Sequence, residues 1–107
     1  MRQQPAFEVI FDALALDHMD VIGSQYDSLI RRTVEEQLVH EPGTPTRNRK
    51  PFLRETAIGA TWEVWCGPGN RFRIFYGIHR DQRLVVVLAI ARKVRNQLFV
   101  GKEKFEP

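Results

Sequence analysis

Cysteine is almost absent: Cys66 is the single one in 107 residues. That excludes an internal disulfide and any cysteine-based zinc motif, and it points to a reduced, cytoplasmic setting. Long apolar runs are missing too. None approaches the roughly 20 residues a membrane helix needs, so no membrane partner is expected. The first residues lack a basic segment followed by an apolar one, so no secretory signal is expected. Histidine is sparse and scattered. His18, His40 and His79 show no ligand spacing, and neither a metal nor another cofactor is expected. Ser24 has no nucleophile-elbow context. The Gly-Pro-Gly of residues 67–69 has no helix behind it to cradle a phosphate. There is no repeat and no low-complexity linker, and the length fits one domain over residues 1–107.

What is present is a globular composition, 43% hydrophobic and 27% charged. The net charge of +3 hides an asymmetry. Residues 1–41 carry three basic against eight acidic side chains, a balance of −5, and residues 42–107 carry thirteen against five, a balance of +8. The positive field belongs to the second part of the chain, and its expected partner is polyanionic.

Residues 6–11 alternate as a first strand, with Phe7, Val9 and Phe11 on one face and Pro5 at its start. Residues 12–22 read as a short helix broken by Gly23. Ser24 is the expected cap of a second helix, with Asp27 as its capping-box partner. That helix runs to about His40. Tyr26, Leu29, Ile30, Val34 and Leu38 form its apolar stripe, and Arg32 and Glu36 form an i,i+4 pair. Residues 42–59 have no period and read as a long ordered loop anchored by Phe52, Leu53 and Ile58. Arg47, Arg49, Lys50 and Arg54 lie in it. Strands are expected over 60–66, 71–78 and 83–91, the last of them central and covered on both faces. The tail from Arg92 bends back as a short strand or a helical turn.

The middle strand carries the first candidate chemistry. Period two places Phe72, Ile74, Tyr76 and Ile78 on the core face, and Arg71, Arg73, Phe75 and Gly77 on the other. Two guanidiniums about 7 Å apart can grip phosphate oxygens, and the ring of Phe75 can stack on a base. The alternative is that both arginines pair with Glu63 across the strand or are merely solvated. Arg92, Lys93 and Arg95 follow the last strand and extend the basic site. Trp62 and Trp65 point to opposite faces, one into the core and one toward the surface.

The blocks IRRTVEEQL, TRNRKPF, WEVW, NRFRIFY and AIARKVRNQLFVG, in this order and spacing, resemble the RelE/ParE superfamily of type II toxins. The resemblance covers residues 6–101. It implies an α+β fold of order β-α-α-β-β-β, with a helical hairpin packed on a small antiparallel sheet. It also implies a cognate antitoxin protein as partner. In the branch that cleaves mRNA on the ribosome, basic residues act without metal. The resemblance implies catalytic roles for Arg73, Lys93 and Arg71, with Arg73 stabilising the transition state and Lys93 protonating the leaving oxygen. It implies RNA contacts for Arg47, Arg49, Lys50, Arg54, Arg92, Arg95 and Phe99. Phe99 stands where the ribonucleases commonly have tyrosine, and Glu63 and Trp65 stand where some have lysine. The gyrase-directed branch also lacks the full ribonuclease set, so the alternatives are a non-nucleolytic inhibitor of DNA gyrase and a catalytically weakened relative.

Overall fold

In the computed structural model, which describes residues 6–105, apolar alternation resolves into more strands than the sequence suggests. The order is β1 (Glu8–Phe11), α1 (Ala13–Ile22), α2 (Asp27–Leu38), β2 (Arg49–Pro51), β3 (Trp62–Cys66), β4 (Phe72–His79), β5 (Leu84–Val94), β6 (Gln97–Val100) and β7 (Glu103–Phe105). The fold is α+β, with two α-helices and one seven-stranded sheet. The ladder runs β2-β3-β4-β5-β6-β7, all antiparallel, and β1 joins β5 in parallel. Where three strands are expected after the helices, six are found. β2 lies inside the supposed loop. It is too short to show a period, and Pro51 suits the sheet edge it occupies. β5 continues to Val94, so Arg92 and Lys93 belong to the strand rather than following it. The tail turns at Arg95 and Asn96 into the β6–β7 hairpin. Pro5, the expected start of the first strand, lies outside the described residues.

Asp12 caps α1, its Oδ2 accepting the Leu14 N–H at 3.0 Å. Gly23 ends the helix at φ 108°, a region where other residues are strained. Ser24 makes no cap. It opens a single 3₁₀ turn, and α2 begins at Asp27. The stripe on α2 is as expected: Ile30, Val34 and Leu38 are buried, and Tyr26 and Leu29 pack beside them. The ion pair on this helix is Arg31–Asp27 at 4.0 Å.

The sheet buries both faces. On one, Met19 and the α2 stripe pack on Phe72, Ile74, Tyr76, Val85, Val87 and Ile90. On the other, Ala60, Phe75, Ala89 and Ala91 are covered by Phe52, Ile58, Leu98 and Phe105. Phe75 is therefore not a surface platform for a base. The rings of Phe52 and Phe105 lie 5.6 and 4.9 Å from its own. Phe52 and Ile58 anchor their segment as expected, whereas Leu53 is fully exposed.

β5 is phased by a bulge. Phe75 pairs with Ala89 but Tyr76 pairs with Val87, so Leu88 is an extra residue. Before it, Val85 and Val87 face the helices; after it, Ile90 does. The far edge of β5 changes partner here as well. β1 pairs as far as Val87, and β6 starts at Ala91. His18 of α1 fills the gap, its Nδ1 accepting the Ile90 N–H at 3.1 Å. The acceptor role requires neutral imidazole. Burial lowers the His18 pKa below the ordinary 6.5, against the opposing pull of Asp17.

Because the folded-state pKa is the lower one, the unfolded chain takes the proton first. This contribution to stability is present above pH 6.5 and is lost as pH falls below it. Urea denaturation at pH 7.5 and pH 5.5 should show wild type losing stability at the lower pH. His18→Leu should lose the histidine-linked part of that fall. It should also be less stable at pH 7.5 by about 1–3 kcal/mol, the cost of an orphaned buried N–H. An equal acid loss in both proteins would remove His18 from this role.

Candidate nucleic-acid interface

The four basic residues of the 42–59 segment divide into one anchor and three exposed side chains. Arg49 is only 5% exposed. Its Nε donates to the Thr44 carbonyl at 2.7 Å, and its Nη1 donates to the Gln37 carbonyl at 2.5 Å and to Gln37 Oε1 at 3.1 Å. It ties the segment to the end of α2, a different task from the RNA contact expected of it. The buried Tyr76 hydroxyl makes a second tie, donating to the Pro42 carbonyl at 2.7 Å. Burial pushes that phenol far above its usual range. Arg47 lies in the turn between Thr46 and Arg49, whose backbones exchange hydrogen bonds, and Asn48 accepts from the Trp65 N–H at 2.8 Å. Arg47, Lys50 and Arg54 are exposed.

The middle-strand arginines do not share a face. The turn from Gly67 to Asn70 uses three positive φ angles, 84° at Gly67, 61° at Gly69 and 55° at Asn70. The chain leaves it with Arg71 in a helical conformation, φ −60° and ψ −31°. Strand alternation therefore begins at Phe72, and Arg71 escapes it. Its Nη1 donates to the Tyr26 hydroxyl at 2.8 Å on the helix side. Its guanidinium also sits 5.8 Å from the Tyr26 ring centre.

Arg73 stays on the opposite face. It pairs across the strands with Trp65, its guanidinium 4.9 Å from that ring, and lies 3.6 Å from Glu63 Oε1. The Trp65 indole N–H donates to the same carboxylate oxygen. Lys50 approaches the Trp65 ring at 5.6 Å. Arg73 is 27% exposed, with a buried Nε that has no hydrogen-bond partner. The register opposes Arg73 to Ala91, and the bulge leaves Lys93 two residues further along the same face. Arg73 and Lys93 are thus diagonal neighbours, at a backbone separation of about 7–8 Å that long side chains bridge.

Arg92 turns the other way. It opposes Phe72 on one side and Phe99 on the other, toward the helices. With Arg71, Arg95 and the Lys93–Val94 end of β5 it lines a cleft of about 320 Å³ against Ile22, Gln25 and Tyr26. Phe99 is partly buried and borders a shallow depression beside Arg95. The sheet end therefore carries two basic surfaces, Arg73 with Lys93 on one face and Arg71, Arg92 and Arg95 on the other.

Tyr26 and Gln25 are new members of this region. Tyr26 reads in sequence as core stripe, and nothing marks Gln25. The detour of Arg71 did have a signal, because two glycines and an asparagine within four residues promise a turn with positive φ. Trp62 and Trp65 do occupy opposite faces, Trp62 stacked on Tyr76 and Trp65 beside Arg73. Cys66 is buried near Thr33, and burial raises its thiol pKa, which disfavours the reactive thiolate. Among the described residues no cluster of three or more His, Cys, Asp or Glu could hold a metal, and no helix is long and apolar enough to cross a membrane.

The division of labour in the loop is measurable. Arg49→Ala should destabilise the fold by about 2 kcal/mol or more in urea, because it strands acceptors that Arg49 satisfies. Arg47→Ala should stay within about 0.5 kcal/mol of wild type. Equal effects would contradict the anchor role.

No protein-family model matches the chain, and no curated protein or solved structure matches it.

Proposed function

We propose that the chain is the toxin of a type II toxin–antitoxin system of the RelE/ParE superfamily. In this reading it is a cytoplasmic, metal-independent endoribonuclease that cuts mRNA on the ribosome and is silenced by a cognate antitoxin. The observation that carries the reading is the diagonal pair of Arg73 and Lys93 on one sheet face. Two cations from adjacent strands suit a phosphodiester, whose charge grows in the transition state of cleavage.

The chemistry asks little of the protein. The RNA 2′-OH attacks the adjacent phosphorus and forms a new P–O bond. The bond to the 5′ oxygen breaks, leaving a 2′,3′-cyclic phosphate and a 5′-OH. Arg73 offers a fork of donors to the non-bridging oxygens. Lys93 gives its proton to the leaving oxygen, and the 2′-OH proton goes to water. Glu63 competes with phosphate for Arg73, so substrate must displace a carboxylate 3.6 Å away.

That same ion pair favours a second reading, a ParE-like inhibitor of DNA gyrase without nucleolytic chemistry. An arginine already matched to a glutamate and a tryptophan ring is less available for catalysis than a free one. The two readings separate on expression of the chain alone. Growth should stop in both, with codon-level mRNA cuts in the first and a DNA-damage response over intact mRNA in the second. Undiminished growth at verified soluble expression contradicts both.

On programmed ribosomes, Arg73→Ala should lower single-turnover mRNA cleavage by about a hundred- to a thousand-fold, the effect of losing one preorganised donor. Arg73→Lys should restore little, because a point charge lacks the fork. Circular dichroism and melting serve as fold controls. A folded Arg73→Ala protein that cleaves at the wild-type rate ends the catalytic assignment. Glu63→Gln removes the competing charge and should tighten RNA binding several-fold. Weaker binding would mean that Glu63 positions Arg73 rather than occupying it.

A further inference from the structure

The cleft on the helix side is chemically unlike the Arg73 face. Arg71, Arg92 and Arg95 converge there on about 320 Å³, the Lys93–Val94 end of β5 borders it, and no acidic side chain among the described residues lines it. Among the described residues, the hydrogen bond from these guanidiniums to a protein acceptor runs from Arg71 to the Tyr26 hydroxyl. The Arg92 Nε is buried and has no hydrogen-bond partner. No ion pair joins any of the three arginines to a carboxylate among the described residues. Like charges held together without a counter-charge repel, and a buried guanidinium N–H without a partner is costly. A multivalent anion resolves both.

The cleft is built by the fold. The positive φ turn before Arg71 sends that side chain to Tyr26, and the Leu88 bulge aims Arg92 toward the helices. Arg95 sits at φ 59° in the β5–β6 turn, which fixes its place at the rim. The Lys93 N–H donates to the Arg71 carbonyl at 2.7 Å, so the cleft wall and the strand end that bears Lys93 are one rigid piece.

We propose that this cleft is a second phosphate-binding site that holds the RNA backbone away from the scissile bond. It rests on the nucleic-acid reading of the opposite face. Arg71 and Arg73 belong to one strand end, so a single-stranded chain rounding the end of the sheet meets both surfaces. Three planar donor forks suit tetrahedral phosphate oxygens, and Gln25 offers a further donor. The site contributes affinity and register, and no chemistry.

The test is binding of a fluorescein-labelled, 2′-O-methyl single-stranded RNA by anisotropy over a salt series. This substrate cannot be cleaved, so the result does not depend on activity. The Arg71→Gln/Arg92→Gln double variant should bind about tenfold or more weakly. The slope of log K against log salt should flatten by about 0.7 for each phosphate that the variant no longer neutralises. Arg95→Asn is the safeguard, because asparagine accepts a positive φ and the position is exposed, so the fold survives. It should weaken binding in the same direction. If both cleft variants bind like wild type while Arg73→Ala binds weakly, the cleft proposal is overturned and the Arg73 reading stands. If wild type itself binds no RNA, both fall. If the variants keep RNA but lose a glutamate-rich peptide that wild type binds, the cleft is an acidic-peptide site and the proposal is wrong.

Discussion

The Leu88 bulge is the constraint on which the basic end of the sheet depends. Simple alternation through β5 would put residues 85, 87, 89, 91 and 93 on one face, and Lys93 would point toward the helices. The extra residue reverses the phase, so Ala89, Ala91 and Lys93 face away from the helices and Ile90 and Arg92 face toward them. A bulge leaves backbone groups to be satisfied. His18 meets that need by accepting the Ile90 N–H where β1 has ended and β6 has not begun. A neutral histidine in α1 thus supports the strand phase that distributes charge at the far end of β5.

The two basic surfaces that result differ in their compensation. Arg73 is held between a tryptophan ring and Glu63, which orders it and lowers its appetite for another anion. Among the described residues, Arg71, Arg92 and Arg95 have a tyrosine hydroxyl and no carboxylate. The 42–59 segment adds Arg47, Lys50 and Arg54 at the β2 edge, and buried Arg49 and Tyr76 fix the segment to the body. Buried structural and exposed arginines therefore alternate within a few residues of each other, and net charge alone does not sort them.

Much of the frame was legible in the sequence. The α2 stripe, the core face of β4 from Phe72 to Ile78 and the opposed tryptophans follow from period alone. Failures cluster where tertiary partners override local pattern. Ser24 has the right chemistry for a cap, yet Asp12 performs that role one helix earlier. Arg49 resembles its exposed neighbours in every local respect, and only the approach of Gln37 makes it an anchor. Phe75 alternates with the core residues of its strand, but the other face has a core of its own, built by Phe52 and Phe105. The split between Arg71 and Arg73 comes from a helical residue after a glycine-rich turn. The split between Arg92 and Lys93 comes from a bulge inside a uniform run of aliphatics, where no residue type marks the extra position.

In the proposed function the end of the sheet, on both faces, meets the phosphates of RNA. The most direct measurement is a titration of ¹⁵N-labelled protein with non-cleavable single-stranded RNA, following arginine side-chain Nε–H resonances along with backbone amides. The Nε–H signals of Arg73 and Arg92 should shift together, with backbone changes over residues 71–73 and 92–95. Shifts confined to α1, or to the 52–58 segment, with both Nε–H signals unmoved, would contradict it.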